Sequence, residues 1–176
     1  MRMSKILPIG LAFALSFTSW GGGIIIGFSN VQQVASYSQA QMDQIGQLKW
    51  YFAHASVGGN LMDGMADLNT GDPTRYQIAS PDFYGDTPPG ITDNGTLHGF
   101  YRDNPPWEDK VNNFVTYVNN GWRYPLINIA LNKFCWIDPG AVVTTYIASV
   151  ASLEATYPET AFVYMTIPLE PYENAE

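Results

Sequence analysis

Short apolar runs alternate with segments of helical periodicity, and this alternation constrains the fold more than any other feature of the chain. The strand-like runs span 50–55, 124–131 and 160–167 and carry no formal charge. Apolar residues recur at helical spacing in the segments between them, over 61–68, 107–118 and 143–153. Strands that alternate with helices of this length form βαβ units. We therefore predict an α/β fold with a three-layer, doubly wound parallel sheet.

The length and charge of the chain exclude several classes of function. With 176 residues, it can form one domain with a substantial core. Its 16 acidic residues outnumber 8 basic ones, which gives a net charge of −8. Because no basic run occurs, we expect no nucleic-acid partner. The single cysteine, Cys135, rules out an intrachain disulfide and a multi-cysteine metal site, and its apolar neighbours predict a buried, inert thiol.

Residues 1–28 are typical of a signal peptide. Arg2 and Lys5 form a basic start, and an apolar run follows over 6–15. Because the next charge is Asp43, the stretch is also long enough for an uncleaved N-terminal anchor. We favour cleavage. In either case we expect an exported protein, secreted or located in the periplasm or cell envelope, whose only membrane contact is made by this segment.

The rest of the chain divides into a leading segment and the α/β domain. Residues 29–47 are polar and rich in Gln and Ser, and we predict a linker or a short leading helix there. Residues 48–176 form the predicted domain. Within it, residues 80–106 hold many prolines and glycines and predict a long functional loop. Since the chain ends eight residues after Pro168, we expect the domain to lack its last helix and strand, as a fragment would.

Ser56 is the residue best placed for chemistry. It ends the first strand-like run, and Gly58 and Gly59 follow where the predicted helix begins. Open α/β sheets bind ligands at the carboxyl ends of strands, and a helix N-terminus favours negative charge. The alternative is that Ser56 only caps the helix. Asn132 ends the second run, so neighbouring strands would bring a nucleophilic hydroxyl beside an amide donor, as acyl transfer requires.

In these residues the sequence resembles the SGNH (GDSL-like) hydrolase superfamily. Residues 52–56, Phe-Ala-His-Ala-Ser, keep the Phe and Ser of the family's Phe-x-Gly-Asp-Ser block. Residues 130–133, Ala-Leu-Asn-Lys, fall where the family has Gly-x-Asn-Asp, and residues 166–168 resemble the strand end before its last helix. The resemblance covers about residues 48–170. It implies an SGNH-like, flavodoxin-like α/β fold and a serine hydrolase with Ser56 as its nucleophile.

The resemblance leaves the general base open. It implies that Asn132 is an oxyanion donor, but Lys133 replaces the Asp of the family block, and no Asp-x-x-His follows in the chain. A serine nucleophile needs a base. The base therefore lies beyond Glu176, or His54 or His98 replaces it, or the chain is inactive.

The two histidines differ in their suitability as a base. His54 precedes Ser56 by two residues on one face of a strand, which is a poor geometry for proton transfer, so we favour a structural role. His98 lies in the predicted loop and could reach the site, although a surface histidine is the default interpretation.

We predict an exported serine esterase or acyl hydrolase that acts on a small-molecule or carbohydrate ester. No cofactor is expected, because the sequence holds neither a phosphate-cradling glycine loop nor a cluster of metal ligands. The alternative is a non-catalytic envelope or glycan-binding domain on the same fold, which would bind sugar through aromatic residues such as Tyr84 and Trp107.

Overall fold

The computed structural model describes residues 26–80, 82–84, 96–101, 103–120, 127–135, 137–138 and 140–165. The chain divides into two units, residues 1–36 and 37–176. Most of the predicted signal peptide lies outside the described residues, and so do residues 166–176, on which the family-like strand end and the expected truncation rest. Within the described ranges, no helix is long and apolar enough to cross a membrane.

Short helices occupy the segment predicted as a linker or leading helix. In the first unit, α1 spans Phe28–Gln33, and a 3-10 turn follows over Val34–Ser36. In the second unit, α2 spans Gln39–Ile45. A capping box begins α2: Ser38 Oγ accepts from the Gln41 N–H at 3.3 Å, and Gln41 Oε1 accepts from the Ser38 N–H at 2.9 Å. These local hydrogen bonds explain why a polar sequence is helical here.

In the described part of the chain, five parallel strands form one sheet in the order β2-β3-β1-β4-β5. The strands are β1 (Lys49–His54), β2 (Asp82–Tyr84), β3 (Thr96–Tyr101), β4 (Ile129–Asn132) and β5 (Ala161–Tyr164). The central strand, β1, pairs with β3 from Lys49 opposite Thr96 and with β4 from Trp50 opposite Ile129. The predicted α/β class and parallel sheet are therefore confirmed.

Helices cover both faces of this sheet. They are α3 (Val57–Gly71), α4 (Trp107–Asn119) and α5 (Val143–Thr156). Tyr51 and Ala53 of β1 pack in one core with α4 and α5. His54 points to the opposite face, where it meets the first turn of α3 at Gly58. The result is a layered arrangement like that of flavodoxin.

Apolar residues at helical spacing bury one face of α4 and one face of α5, as the periodicity predicts. The ring of Phe114 stacks on that of Tyr51 with centroids 5.9 Å apart and planes 4° apart. Each fully buried apolar side chain contributes about 1.5–3 kcal/mol, so these faces hold the helices on the sheet. The buried residues are Val111, Phe114 and Val118 on α4 and Tyr146, Val150 and Leu153 on α5.

The segment predicted as a long loop contains two strands, so that prediction was wrong. Both β2 and β3 lie within residues 80–106, and β3 pairs with β2 on one side and with β1 on the other. Gly99, which suggested a loop, stands opposite Phe52 in this register and is buried. Pairing with a central strand therefore outweighs the local preference of glycine for turns.

Candidate active site

The carboxyl ends of β1 and β4 meet at the centre of the sheet. Ala53 is in register with Asn132, and the Lys133 N–H donates to the Ala53 carbonyl at 2.9 Å. From β1 the chain proceeds to β2 and β3 on one side and then crosses to β4 on the other. Such a change of direction marks the ligand-binding edge of open α/β sheets. The prediction that the strands of Ser56 and Asn132 are neighbours is confirmed.

Ser56 has an unusual backbone conformation, with φ 52° and ψ −122°. Among the described non-glycine residues, only Ser56 and Asp103 have a positive φ. Such a conformation costs about 1–3 kcal/mol, and strained strand-to-helix turns of this kind carry catalytic serines. The Gly58 N–H donates to the Ala55 carbonyl at 3.0 Å and the Gly59 N–H to the Ser56 carbonyl at 2.7 Å, which closes the turn.

The side chain of Ser56 is exposed and makes no capping hydrogen bond to α3. Ser56 thus occupies the N-cap position of α3 without the side-chain hydrogen bond of a cap. The first N–H groups of a helix have no partner inside the helix. The hydroxyl thus stands at a helix N-terminus whose N–H groups can stabilise negative charge.

Gly58 allows α3 to begin directly against β1. It is buried, and a Cβ at this position would overlap the Cβ of His54 and lie 2.7 Å from its Cγ and Nδ1. At Gly59, by contrast, a Cβ would meet no atom within 4 Å. The turn predicted at these two glycines therefore needs Gly58 for space.

His54 is buried beneath this turn, with 0% of its surface exposed. Its ring stacks on Phe52 at a centroid distance of 4.8 Å and meets the ring of Tyr101 edge-on at 5.8 Å. A general base must come within hydrogen-bonding distance of the proton that it accepts. The burial of His54 therefore favours the structural role over the catalytic one.

His98 lies in β3, so its placement in a loop was wrong. Its backbone is in register with Tyr51 of β1. His98 lies three residues before Tyr101, which is at the carboxyl end of β3, and the side chain of His98 is outside the described part of the structure. At a rise of about 3.3 Å per residue, this places His98 about 10 Å from the edge. The register therefore does not bring His98 to Ser56.

Asn132 is fully buried at the end of β4. The alternation of side chains along a strand places it on the same face as Ala130, which belongs to the core under α4 and α5. Its strand adjoins β1 as predicted, but the amide has no exposed surface. Its role as an oxyanion donor stays a prediction.

A buried ion pair fixes the loop that follows β4. Lys110 Nζ lies 2.8 and 2.6 Å from the two carboxylate oxygens of Asp138, and both residues are buried. Asp138 Oδ2 also accepts from the Cys135 N–H at 2.7 Å. The sequence predicts that Asp138 caps a helix, but α5 begins at Val143 with Val142 as its N-cap. The carboxylate binds Lys110 instead.

The sequence contains a signal for this ion pair. Lys110 falls at helical spacing with Trp107 and Phe114, on the apolar face of α4. A lysine buried on such a face needs an anionic partner, because an unpaired charge in the core is very costly. The position of Lys110 on the helix therefore predicts a buried carboxylate nearby.

Side chains of the same loop contact one another, and that of Cys135 reaches the residue before Ser56. Lys133 Nζ donates to the Phe134 carbonyl at 2.9 Å and lies 3.9 Å from Cys135 Sγ. That Sγ is 3.8 Å from the carbonyl oxygen of Ala55. The predicted burial of Cys135 is confirmed. The loop after β4 therefore packs against the residue that precedes Ser56.

A groove of about 420 Å³ opens at the carboxyl ends of β4 and β5. Partial burial raises the pKa of the Tyr164 phenol in this groove, and a hydrogen bond to Glu154 and electrostatic repulsion from Glu154 and Tyr146 raise that pKa further. Tyr164 therefore remains a neutral hydrogen-bond donor. The groove is lined by Phe134, Ala141, Val143, Tyr146, Ile147, Tyr164 and Met165.

The described residues contain no group of three or more His, Cys, Asp or Glu side chains that could hold a metal ion. Comparison of the chain with family models, curated proteins and solved structures finds no match. The function must therefore be inferred from the geometry of the site itself.

Proposed function

We propose that this protein is a serine hydrolase that cleaves esters through Ser56. The observation that carries the proposal is the backbone of Ser56, held at a positive φ between the central strand and α3. A strained conformation persists only where the surrounding structure enforces it. Here the contact of Gly58 with His54 and the two hydrogen bonds that close the turn provide that constraint.

In the proposed reaction, Ser56 Oγ attacks the carbonyl carbon of the ester, and a general base takes the hydroxyl proton. The C–O bond to the alcohol breaks, the alcohol leaves with that proton, and water then hydrolyses the acyl-enzyme to release the acid. The oxyanion of each step forms beside the N–H of Val57, the first residue of α3. Asn132, at the end of the adjacent strand, is the proposed second donor.

We assign the general base to neither histidine. His54 is buried under the turn, and His98 lies within β3, three residues from the edge. The role of Ser56 as nucleophile can be tested by substitution and labelling, neither of which requires the general base to be identified.

The SGNH-like family assignment is part of the proposal. It is supported by the position of Ser56 directly after the central strand, by the layered parallel sheet and by Asn132 on the neighbouring strand. A carbohydrate ester as substrate and the export of the chain are expectations that rest on the sequence.

Labelling with a fluorophosphonate probe tests the proposal. The purified protein should carry the probe on Ser56 in peptide mass spectra and should hydrolyse p-nitrophenyl acetate. Ser56→Ala should abolish labelling and lower kcat/KM by at least about 10³-fold. Ser152→Ala changes an exposed serine of α5 and should behave as the wild type. Unchanged turnover in Ser56→Ala would contradict the proposal.

The glycan-binding alternative has less support. Trp107 is partly buried and packs against the core, and the side chain of Tyr84 lies outside the described part of the structure. If the alternative holds, sugar binding survives in Ser56→Ala and weakens in Trp107→Ala.

A further inference from the structure

The groove lies at the same edge of the sheet as Ser56. Phe134 follows the end of β4 by two residues, Tyr164 ends β5, and Val143 and Ile147 form the wall on α5. Neighbouring strands are about 4.8 Å apart, so β5 lies about 10 Å from β1. The groove therefore begins one strand away from the Ser56 turn and extends away from it.

Packing contacts hold one wall of the groove against the nucleophile turn. Phe134 directly precedes Cys135, whose Sγ is 3.8 Å from the Ala55 carbonyl, and Ala55 directly precedes Ser56. The Cys135 N–H is fixed by Asp138 at 2.7 Å. These contacts fix the position of Phe134, a wall residue of the groove, relative to the strand end that precedes Ser56.

The lining of the groove leaves few polar atoms for a sugar to bind. Among the described residues that line it, no side chain is charged. Their side-chain oxygens are the phenol groups of Tyr146 and Tyr164, and both are engaged. The first accepts from the Met165 N–H at 3.4 Å, and the second donates to Glu154.

The exposed apolar surface of the groove matches an alkyl chain. Val143 and Ile147 leave 50% and 47% of their surface in contact with solvent. Clustered apolar exposure of this kind marks binding sites, and the volume of about 420 Å³ is within the range of small-ligand sites. A bound alkyl chain would remove this surface from water, which is favourable.

We propose that this groove binds the acyl chain of the substrate, so that the substrates are esters of aliphatic acids longer than acetate. This inference rests on the proposed function, because it assumes that Ser56 attacks the ester carbonyl. Burial of each methylene should raise kcat/KM by up to about fourfold.

A series of p-nitrophenyl esters from acetate to octanoate tests the inference. In the wild type, kcat/KM should rise with chain length. Ile147→Trp places an indole in the groove and should lower the octanoate-to-acetate ratio of kcat/KM at least about tenfold. Leu68→Trp changes a leucine of α3 that is 44% exposed and should keep the wild-type ratio. Thermal unfolding of both variants verifies that they fold.

Calorimetric binding of octanoate to Ser56→Ala separates this inference from the proposed function. If octanoate binds to Ser56→Ala and the added Ile147→Trp change removes that binding, the groove is supported. If the same binding is seen but the wild type hydrolyses no ester, only the proposed function is overturned. Hydrolysis with a flat chain-length profile would overturn the groove and leave Ser56 as nucleophile. Loss of both hydrolysis and binding would overturn both.

Discussion

Gly58 is the residue whose replacement tests the Ser56 turn most directly. A Cβ in Gly58→Ala would overlap the Cβ of His54, so we expect a loss of about 1–3 kcal/mol in the free energy of unfolding, measured by urea denaturation. Gly64→Ala, in the same helix, adds a Cβ that meets no atom within 4 Å and should stabilise the protein by about 0.5–1 kcal/mol. Equal effects of the two changes would contradict this interpretation.

The position of Ser56 is predictable from the sequence, but its conformation is not. A small-residue turn between an apolar run and a helical pattern indicates where the serine lies. Its positive φ depends on the fit between Gly58 and His54, which are close only after α3 packs on β1. The sequence around His54 does not indicate this contact between β1 and α3, so the role of His54 is not fixed by the sequence alone.

Tyr164 should give the protein a distinct response to alkaline pH. Burial, followed by the hydrogen bond to Glu154, raises the pKa of its phenol above the ordinary value of 10.0. As pH rises, the unfolded chain releases this proton first. The contribution of Tyr164 to stability is therefore fully present below about pH 10 and is lost as pH rises from there through the folded pKa.

In the wild type, the free energy of unfolding should fall above about pH 10, and Tyr164→Phe should make this fall smaller. Urea denaturation at a series of pH values measures the difference. Glu154→Gln should lower the pKa of the phenol, because it removes a charge that disfavours the phenolate. The absorbance of tyrosinate follows that pKa directly. An unchanged pH profile in both variants would show that the phenol is not perturbed.

At the scale of elements, the Lys110–Asp138 pair joins α4 to the loop after β4. Asp138→Ala should cost about 3–5 kcal/mol in urea denaturation, because it leaves the buried Lys110 ammonium without its counter-ion. Lys110→Met combined with Asp138→Asn removes both charges of this pair and keeps an acceptor for the Cys135 N–H. The double variant should recover most of the loss, and failure to do so would show that the charges themselves are required.

The elements differ in how well the sequence predicts them. Helix α4 begins directly after Pro106, as predicted, because proline and the apolar spacing agree. Strand β3 was missed because its residues pack between β1 and β2, and the stabilising partners are distant in the chain. The prediction that Asp138 caps α5 was wrong because its carboxylate binds Lys110 on another helix. Contacts between elements, rather than local propensity, decide these cases.

At the scale of the whole molecule, export is the prediction that can be measured without knowing the substrate. In a bacterial host that expresses the chain from its own N-terminus, we expect cleavage within residues 1–28, with Ala14 and Ser16 as the candidate small residues of the cleavage site. The intact mass of the protein recovered outside the cytoplasm measures the site of cleavage. A full-length chain in the membrane fraction would favour the uncleaved anchor instead.

Because β1 is central in the sheet but early in the sequence, both of its neighbouring strands are synthesised after it. The Lys49 N–H donates to Asn128 Oδ1, 79 residues later in the sequence, and β3 on the other side begins only at Thr96. Such non-local pairing makes folding slow. The ribosome therefore releases the apolar middle strand before either neighbour exists. In the proposed enzyme, the sheet edge that holds Ser56 and Asn132 is complete only after β4 has been synthesised.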